Sequence, residues 1–270
     1  MINNKYQQIG FTLVEMAIVL VILGFVLGAL LLPLQAQRDQ VALAQTRSTL
    51  ETAKQALLGF AQRNGRLPCP ATAASLGREL PLGGTDNTPP NPLTANCSAQ
   101  SGFLPAATLG IEPVDIQGFA LDAWNNRIRY AVTANNNSAT VVNGLPCGGD
   151  TAPDFTTTGN AAEVGLVCLA PNLRICRISP ATDPANCSAA VNLISDAVVV
   201  IFSTGSTGAQ VIGGADETEN LNAAGAGQID TVFVSHDITQ TAPPNEFDHI
   251  VTWISPFVLY NAMIEAGQLH

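Results

Sequence analysis

Basic residues and histidines are scarce in this sequence of 270 residues. It has 11 lysines and arginines against 21 aspartates and glutamates, which gives a formal net charge of -10 at pH 7. A surface that binds nucleic acid must neutralise phosphates with Lys and Arg, so this composition argues against nucleic acid as a partner, although a local basic patch is still compatible with it. The three histidines are His236, His249 and His270.

Motifs of catalysis and of metal binding are missing as well. There is no Gly-x-Ser-x-Gly elbow, and the Gly/Ser-rich segment 203–208 lacks the lysine of a phosphate loop. No Cys-x-x-Cys pair offers closely spaced zinc ligands. A set such as Ser235, Asp248 and His249 has no motif behind it, so we interpret these as surface or turn residues. We therefore expect no catalytic residues, no metal site and no enzymatic activity.

Polar residues are absent from the run 16–32, which follows Glu15. Counted from Phe11 to Pro33 the segment has 23 residues, which matches the roughly 20 that an α-helix needs to cross a bilayer. The preceding residues 1–10 are mostly polar and end in Gly10. A secretory signal has its cleavage site after the apolar region, whereas here the plausible site lies before it. We expect residues 11–33 to span a membrane, with residues 1–10 in the cytoplasm.

Glu15 is an ionisable residue inside this apolar segment, where a carboxylate is costly unless it is paired. The stretch Gly10-Phe-Thr-Leu-Val-Glu15, followed by an apolar helix, resembles the class III signal of type IV pilins and of the pseudopilins of type II secretion. The resemblance implies cleavage between Gly10 and Phe11 by a prepilin peptidase, and N-methylation of Phe11. It also implies that Glu15 pairs with the N-terminal amine of a neighbouring subunit. The alternative is a plain single-pass anchor with Glu15 at headgroup depth.

Residues 34–65 predict an amphipathic continuation of this helix. The segment has no glycine before Gly59 and ends at Asn64-Gly65, a typical C-terminal stop. The apolar stripe predicts packing on a globular domain, and a coiled-coil seam is the alternative. Five residues form the stripe: Leu43, Leu50, Ala53, Leu57 and Phe60.

The cysteines follow the apolar segment, in the remainder of the chain. Such a position indicates an oxidising compartment and disulfide bonds rather than free thiols. Residues 64–117 are rich in loop-forming residues, so a disulfide there would hold poorly structured chain. The pairing stays open, because six cysteines allow 15 connectivities. The six are Cys69, Cys97, Cys147, Cys168, Cys176 and Cys187.

A turn sequence precedes an alternating strand at residues 122–132. It resembles the Asp-x-Trp-Gly-Asn-x-x-x-Tyr element of the major pseudopilin, with Asn125 in place of the glycine. Asn tolerates left-handed backbone better than most residues, so we expect the turn to survive. We expect Trp124 to cap the core and Asp122 to bind the turn amides. The matching positions are Asp122, Trp124, Asn126 and Tyr130.

Further elements are predicted towards the end of the chain. Residues 196–202 predict a central strand, and 231–235 and 248–254 predict two more. A helix is expected over 257–266, with Ser255 as N-cap and Gly267 as the stop.

Acidic residues lie between these strands in a segment of small residues. Calcium is the one cofactor that they suggest, because it binds several oxygen ligands and pseudopilins can hold one in a C-terminal loop. Their spacing matches no calcium loop, so a solvated acidic loop without a cofactor is the preferred interpretation. These residues are Asp216, Glu217, Glu219 and Asp230.

Together these patterns predict an α+β fold, in which a long N-terminal membrane-spanning helix packs on an antiparallel β-sheet domain with disulfide-stapled loops. The predicted organisation is a prepilin leader peptide (1–10), a transmembrane and filament-core helix (11–33), an amphipathic helix (34–65) and a globular pilin-like ectodomain (66–270).

The predicted function is that of a minor pilin or pseudopilin, a structural subunit of a type IV pilus or of a filament like that of type II secretion. The alternatives are a filament-tip adhesin or cargo-binding subunit and, less favoured, a membrane-anchored enzyme. The resemblance implies other pilin or pseudopilin subunits, prepilin peptidase, an inner-membrane assembly platform and the membrane as partners. It places the ectodomain in the periplasm of a bacterium, and the assembled filament in the periplasm or outside the cell.

Overall fold

The computed structural model describes most of the chain in ranges separated by gaps. The chain divides between residues 44 and 45 into two compact units. Side chains are not described at 29–36, 141–142 and 145–146. The described residues are 12–80, 97, 99–133, 141–142, 145–146, 155–157, 161–162, 165–166, 168–180, 187–188, 190–208, 214–221, 231–239 and 246–269.

Helix α1 (Leu13–Asn64) contains 52 residues. It ends where the sequence predicted, and Gly65 follows with a φ of 64°, a backbone conformation that costs glycine little. Between Leu13 and Leu27, twelve large apolar side chains are 47–86% exposed. No helix in the described part of the chain is long and apolar enough to cross a membrane.

In the part of the chain that the structure describes, nine strands and three further helices are bounded after α1. The helices are α2 (Ala106–Leu109), α3 (Ala215–Leu221) and α4 (Pro256–Glu265). The strands are β1 (Ser101–Phe103), β2 (Arg129–Val132), β3 (Val141–Val142), β4 (Leu145–Pro146), β5 (Leu173–Cys176), β6 (Asn192–Ala197), β7 (Val199–Ser203), β8 (Val232–Val234) and β9 (Ile250–Ile254). This is an α+β fold, as the sequence predicted.

The central layer is a four-stranded antiparallel sheet in the order β1-β2-β7-β9. All five residues of β7 are buried. Side chains alternate between the faces of a strand: Val199 and Ile201 pack in a cluster with Leu57 of α1, whereas Val200 and Phe202 pack in a second cluster with Ile175. The sheet is therefore covered on both faces.

The apolar stripe on α1 is buried where it joins the first of these clusters, which contains Leu57. Leu50, Ala53 and Leu57 are at most 2% exposed, whereas Phe60 and Leu43 are half-buried. Burying a leucine side chain stabilises a domain by about 1.5–3 kcal/mol.

The single strand predicted at 196–202 is wrong, because the chain changes sheets at Val198. The N–H of Val198 donates to the carbonyl of Ile254, and its own carbonyl accepts from the N–H of Thr133. Residues before it belong to β6, in a separate sheet of order β6-β5-β8, and residues after it belong to β7. In that second sheet β5 and β8 are parallel, so the domain is not antiparallel throughout.

Three further predictions differ in part from the structure. The acidic segment is not a loop where it is described, since residues 215–221 form α3. Ser255 does occupy the N-cap of α4, but its side chain makes no capping hydrogen bond. The strands predicted at 231–235 and 248–254 are shorter, at Val232–Val234 and Ile250–Ile254.

The prediction of disulfides is confirmed. Cys69 bonds to Cys97 and Cys176 to Cys187. Cys168 is also disulfide-bonded, and Cys147 lies outside the described residues. The first bond closes a stretch with a sequence separation of 28, within the loop-rich part of the chain.

Candidate functional site

Thr12 and Glu15 form a capping box at the start of α1. The N–H and the hydroxyl of Thr12 donate to Oε2 of Glu15 at 2.9 and 3.0 Å. The N–H of Glu15 donates to Oγ1 of Thr12 at 3.3 Å. These bonds satisfy donors that a helix start leaves without partners. The spacing Thr-x-x-Glu is the signal in the sequence for this role of Thr12. Gly10 and Phe11, the predicted processing residues, lie outside the described part of the chain.

Hydrogen bonds of Asp122 and Asn126 stabilise the turn and attach it to the end of β7. Oδ1 of Asp122 accepts from the N–H groups of Trp124 and Asn126 at 2.9 and 2.8 Å. Oδ2 accepts from the hydroxyl of Ser203 at 2.6 Å. The side-chain amide of Asn126 donates to the carbonyl of Gly205 at 2.7 Å. The buried carboxylate therefore fixes the turn and attaches it to the end of β7.

The neighbouring residues complete this turn. Asn125 has a φ of 66°, in the left-handed region, and Trp124 is half-buried. Tyr130 is fully buried, and its hydroxyl donates to the carbonyl of Pro68 at 2.9 Å. Sequence reasoning missed Thr46, whose Oγ1 accepts from the N–H of Ala123 at 3.2 Å. A polar residue on the apolar stripe of α1 was the available signal.

Replacing Asp122 by alanine is expected to lower the free energy of unfolding by roughly 3 kcal/mol. The change leaves buried donors without an acceptor, and hydrogen bonds to charged groups contribute about 1.5–3 kcal/mol each. Urea unfolding of the purified chain measures the loss. Asp237→Ala, at an exposed aspartate, is the matched control and should stay within about 0.5 kcal/mol of wild type. Equal stabilities of the two variants would contradict this role.

A second polar cluster joins Glu217, Asp248 and His249. The three residues are 2%, 7% and 3% exposed, and one potential ligand atom of each lies within 4.8 Å of the others. The interpretation of these residues as surface, turn or solvated-loop residues is therefore wrong. Local sequence did not reveal the burial, because Glu217 lies on α3 and its neighbours lie 31 or more residues later along the chain.

The carboxylates of this cluster anchor backbone. Oε1 of Glu217 accepts from the N–H of Asp248 at 2.8 Å. Oδ2 of Asp248 accepts from the hydroxyl of Ser206 at 2.8 Å and from the N–H of Thr207 at 2.7 Å. Oδ1 of Asp248 is buried and has no hydrogen-bond partner within the described residues. The cluster thus attaches α3 and the turn after β7 to the segment that leads into β9.

The tautomer of His249 follows from its neighbour Asn220. The Asn220 amide is oriented by Val234, whose N–H donates to Oδ1 at 2.7 Å and whose carbonyl accepts from Nδ2 at 3.0 Å. Nδ2 of Asn220 also lies 3.1 Å from Nδ1 of His249. Since Nδ2 can only donate, Nδ1 is the acceptor and the ring proton is on Nε2. Burial lowers the pKa of His249 to about 4, so the ring is neutral at pH 7.

This hydrogen bonding limits what the cluster can bind. Carboxylate oxygens suit hard cations such as calcium. The imidazole of His249 is not free to act as a ligand, because Nδ1 accepts from Asn220 and Nε2 carries the proton. Of the acidic residues considered for calcium, Asp216 lies 3.2 Å from His236, Glu219 is half-buried and Asp230 is outside the described residues. The absence of a cofactor stays a prediction, with calcium as the alternative.

A small cavity lies between the central sheet and α3. Its volume of about 30 Å³ accommodates about one water molecule, whereas ligand pockets usually have volumes of about 300–1,000 Å³. It is lined by Ser101, Gly102, Arg129, Tyr130, Phe202, Asn220, Leu221 and Phe233.

Comparison with known proteins identifies the N-terminal segment. Residues 5–31 match the family model of the prokaryotic N-terminal methylation motif. No curated protein and no solved structure matches the chain. The matched residues contain Gly10, Phe11 and the capping box of Thr12 and Glu15. The resemblance inferred from the sequence is confirmed: the chain carries the class III prepilin signal of type IV pilins and pseudopilins.

Proposed function

We propose that this chain is a minor pilin or pseudopilin that polymerises through its N-terminal helix and displays residues 66–270 as a disulfide-stapled domain. The methylation motif at residues 5–31 is the observation that carries this proposal. It lies at the start of α1, a helix of 52 residues. A pilin-type subunit needs this combination, because the processed end of the helix must be available to other subunits.

The exposed apolar side chains of α1 support a role in assembly. Between Leu13 and Leu27 the large apolar side chains are 47–86% exposed, far more apolar surface than a monomer usually leaves in water. In this proposal residues 11–33 reside in the bacterial inner membrane before assembly and in the filament core afterwards. The apolar side chains then exchange lipid for other helices, and repeated heterologous contacts extend a helical polymer.

Glu15 has a separate task in this proposal. Its hydrogen bonds to Thr12 hold the carboxylate at the first turn of α1, next to the site where cleavage would create a new amine at Phe11. An ammonium group of a neighbouring subunit would satisfy this carboxylate in an apolar surrounding, where an unpaired charge is costly. Pairing of this kind sets the register of one helix against the next.

Processing provides the direct test. When the chain is expressed with an active prepilin peptidase, N-terminal sequencing and intact mass are expected to give a methylated Phe11 terminus. Gly10→Val, which adds bulk at the residue preceding the cut, should keep Met1 and serves as the uncleaved reference. If the wild-type chain also keeps Met1 while the peptidase cleaves another substrate in the same cells, the pilin proposal is wrong.

A further inference from the structure

Several polar and titratable side chains attach helix α3 to the rest of the domain, in addition to the apolar contact of Leu221 with the second cluster. Asp216 contacts His236 and accepts from the N–H of Ser179 at 2.6 Å. Glu217 contacts Asp248, and Asn220 contacts His249. Because several of these side chains titrate, we expect a change in their protonation to change how strongly α3 binds to the rest of the domain.

Glu217 and Asp248, the carboxyl pair, are both buried. They are 2% and 7% exposed, and one carboxylate oxygen of each lies within 4.8 Å of the other. Among the described residues no basic side chain forms an ion pair with either of them, because the three ion pairs join Arg66 to Glu79, Arg127 to Asp115 and His236 to Asp216. Two buried anions at this distance repel each other, and burial penalises both charges.

The hydrogen bonds around the carboxyl pair leave a place for one proton. Oε1 of Glu217 already accepts from the N–H of Asp248, so a proton on this carboxyl group belongs on Oε2. Oδ1 of Asp248 is a buried acceptor without a donor in the described part of the chain. A hydroxyl on Glu217 that donated to this oxygen would satisfy the acceptor and would remove one of the two charges.

Among the described residues, the groups around the carboxyl pair do not neutralise its charge. This leaves a shared proton to do so. On α3, Asp216 and Glu219 are acidic, and Glu246 in the segment before β9 adds to the negative potential at Glu217. His249 is neutral for the reason given above. The positive charge of Arg129 on β2 acts on His249, and His236 after β8 is engaged with Asp216. The hydroxyls of the turn after β7 do not titrate in this range.

We propose that Glu217 and Asp248 share one proton, and that this shared proton holds α3 against the segment 246–249. Burial, reinforced by the charge of Asp248, raises the pKa of Glu217 to about 7, which agrees with the geometry. Near neutral pH the loss of the proton leaves two adjacent buried carboxylates, and α3 then detaches more often. The fold thus contains a contact whose strength changes with the pH outside the cytoplasm.

The sign of the effect differs between Glu217 and His249. Burial also raises the pKa of Glu219, which therefore acts in the same direction as Glu217. A pKa raised from 4.5 to about 7 means that the contribution of Glu217 is present below about pH 4.5 and is lost as the pH rises through 7. A pKa lowered from 6.5 to about 4 means that His249 contributes above about pH 6.5 and loses this contribution as the pH falls through 4. The two effects oppose each other between these limits, so wild type alone shows a weakened pH response.

Hydrogen–deuterium exchange of the α3 amides in the full chain, in detergent and corrected for intrinsic exchange, separates the two contributions. The equilibrium constant for opening of α3 in wild type is divided by that in Glu217→Gln at each pH. The contribution of His249 is present in both chains and therefore cancels. Linkage predicts that this ratio rises about tenfold between about pH 6 and pH 8.5. Glutamine keeps the acceptor for the N–H of Asp248 and supplies a permanent donor, so the variant imitates the protonated pair.

Two further variants test whether Glu217 and Asp248 are the groups that share the proton. When wild type is divided by Asp248→Asn, the ratio should rise in the same way. The amide of the new side chain donates the hydrogen bond that the shared proton provides in wild type. Glu219→Gln, the same substitution on the same helix, should still show the rise when it is divided by the double variant Glu217→Gln/Glu219→Gln, because neither chain then contains Glu219. A wild-type ratio that stays within about twofold overturns the proposal. Excess calcium that restores the protection of α3 at high pH in wild type, but not in Glu217→Gln, also overturns it and assigns the carboxyl pair to a cation.

Discussion

Replacing Glu15 by valine is expected to abolish incorporation into filaments while residues 45–270 remain folded. The described hydrogen bonds of the Glu15 side chain join it to Thr12. Their loss costs about 1 kcal/mol at the helix start, whereas a missing carboxylate removes the proposed partner of the neighbouring subunit's amine. Immunoblots of the sheared filament fraction and of the membrane fraction measure the distribution of the variant.

Two controls separate charge from helix capping. Glu15→Gln keeps an oxygen acceptor for Thr12 but carries no charge, and it should fail to assemble as valine does. Glu51→Val changes an exposed glutamate elsewhere on α1 and should assemble normally. If Glu15→Val enters filaments as efficiently as wild type, Glu15 has no part in assembly.

The largest loss of stability is expected for Glu79→Ala, at about 3–5 kcal/mol. Glu79 and Arg66 form a bidentate ion pair at 2.7 and 2.8 Å, and both side chains are 7% exposed. Oε2 of Glu79 also accepts from the N–H of Cys69 at 3.1 Å. Removing the carboxylate leaves a buried guanidinium group without its counterion. Denaturant unfolding of the purified chain gives the free energy of unfolding.

The double variant Arg66→Met/Glu79→Leu tests the physical reason for this loss. Replacing both partners with apolar residues avoids an unpaired buried charge, and the double variant is therefore expected to be more stable than Glu79→Ala. Glu112→Ala, at an exposed glutamate, is the matched single control. An equal loss in the single and double variants would show that charge burial is not the cause.

Local patterns were sufficient for the two longer helices, α1 and α4, but not for α2 and α3. The stripe that contains Leu50 and Leu57 identified the buried face of α1, and Asn64-Gly65 identified its end, since both signals depend on neighbouring residues only. The methylation motif was equally local, and the family match confirms it. The long helices and the N-terminal signal were therefore predictable.

Long-range contacts were not predictable in the same way. The run 196–202 is almost continuously apolar, and nothing in it marks Val198 as the residue where the chain passes to another sheet. That choice depends on Thr133 and Ile254, which lie far away in the sequence. Glu217 resembled its acidic neighbours, and its burial depends on Asp248. Such partners are determined by tertiary packing rather than by local propensity.

The two described disulfides also affect how the chain survives proteolysis. Cys69 and Cys97 enclose a sequence separation of 28 residues, and Cys176 and Cys187 one of 11. A protease that cuts one peptide bond inside either closed stretch does not release a fragment, because the sulfur bridge still joins the two new ends. In the proposed filament, a subunit nicked at these places would stay in one covalent piece.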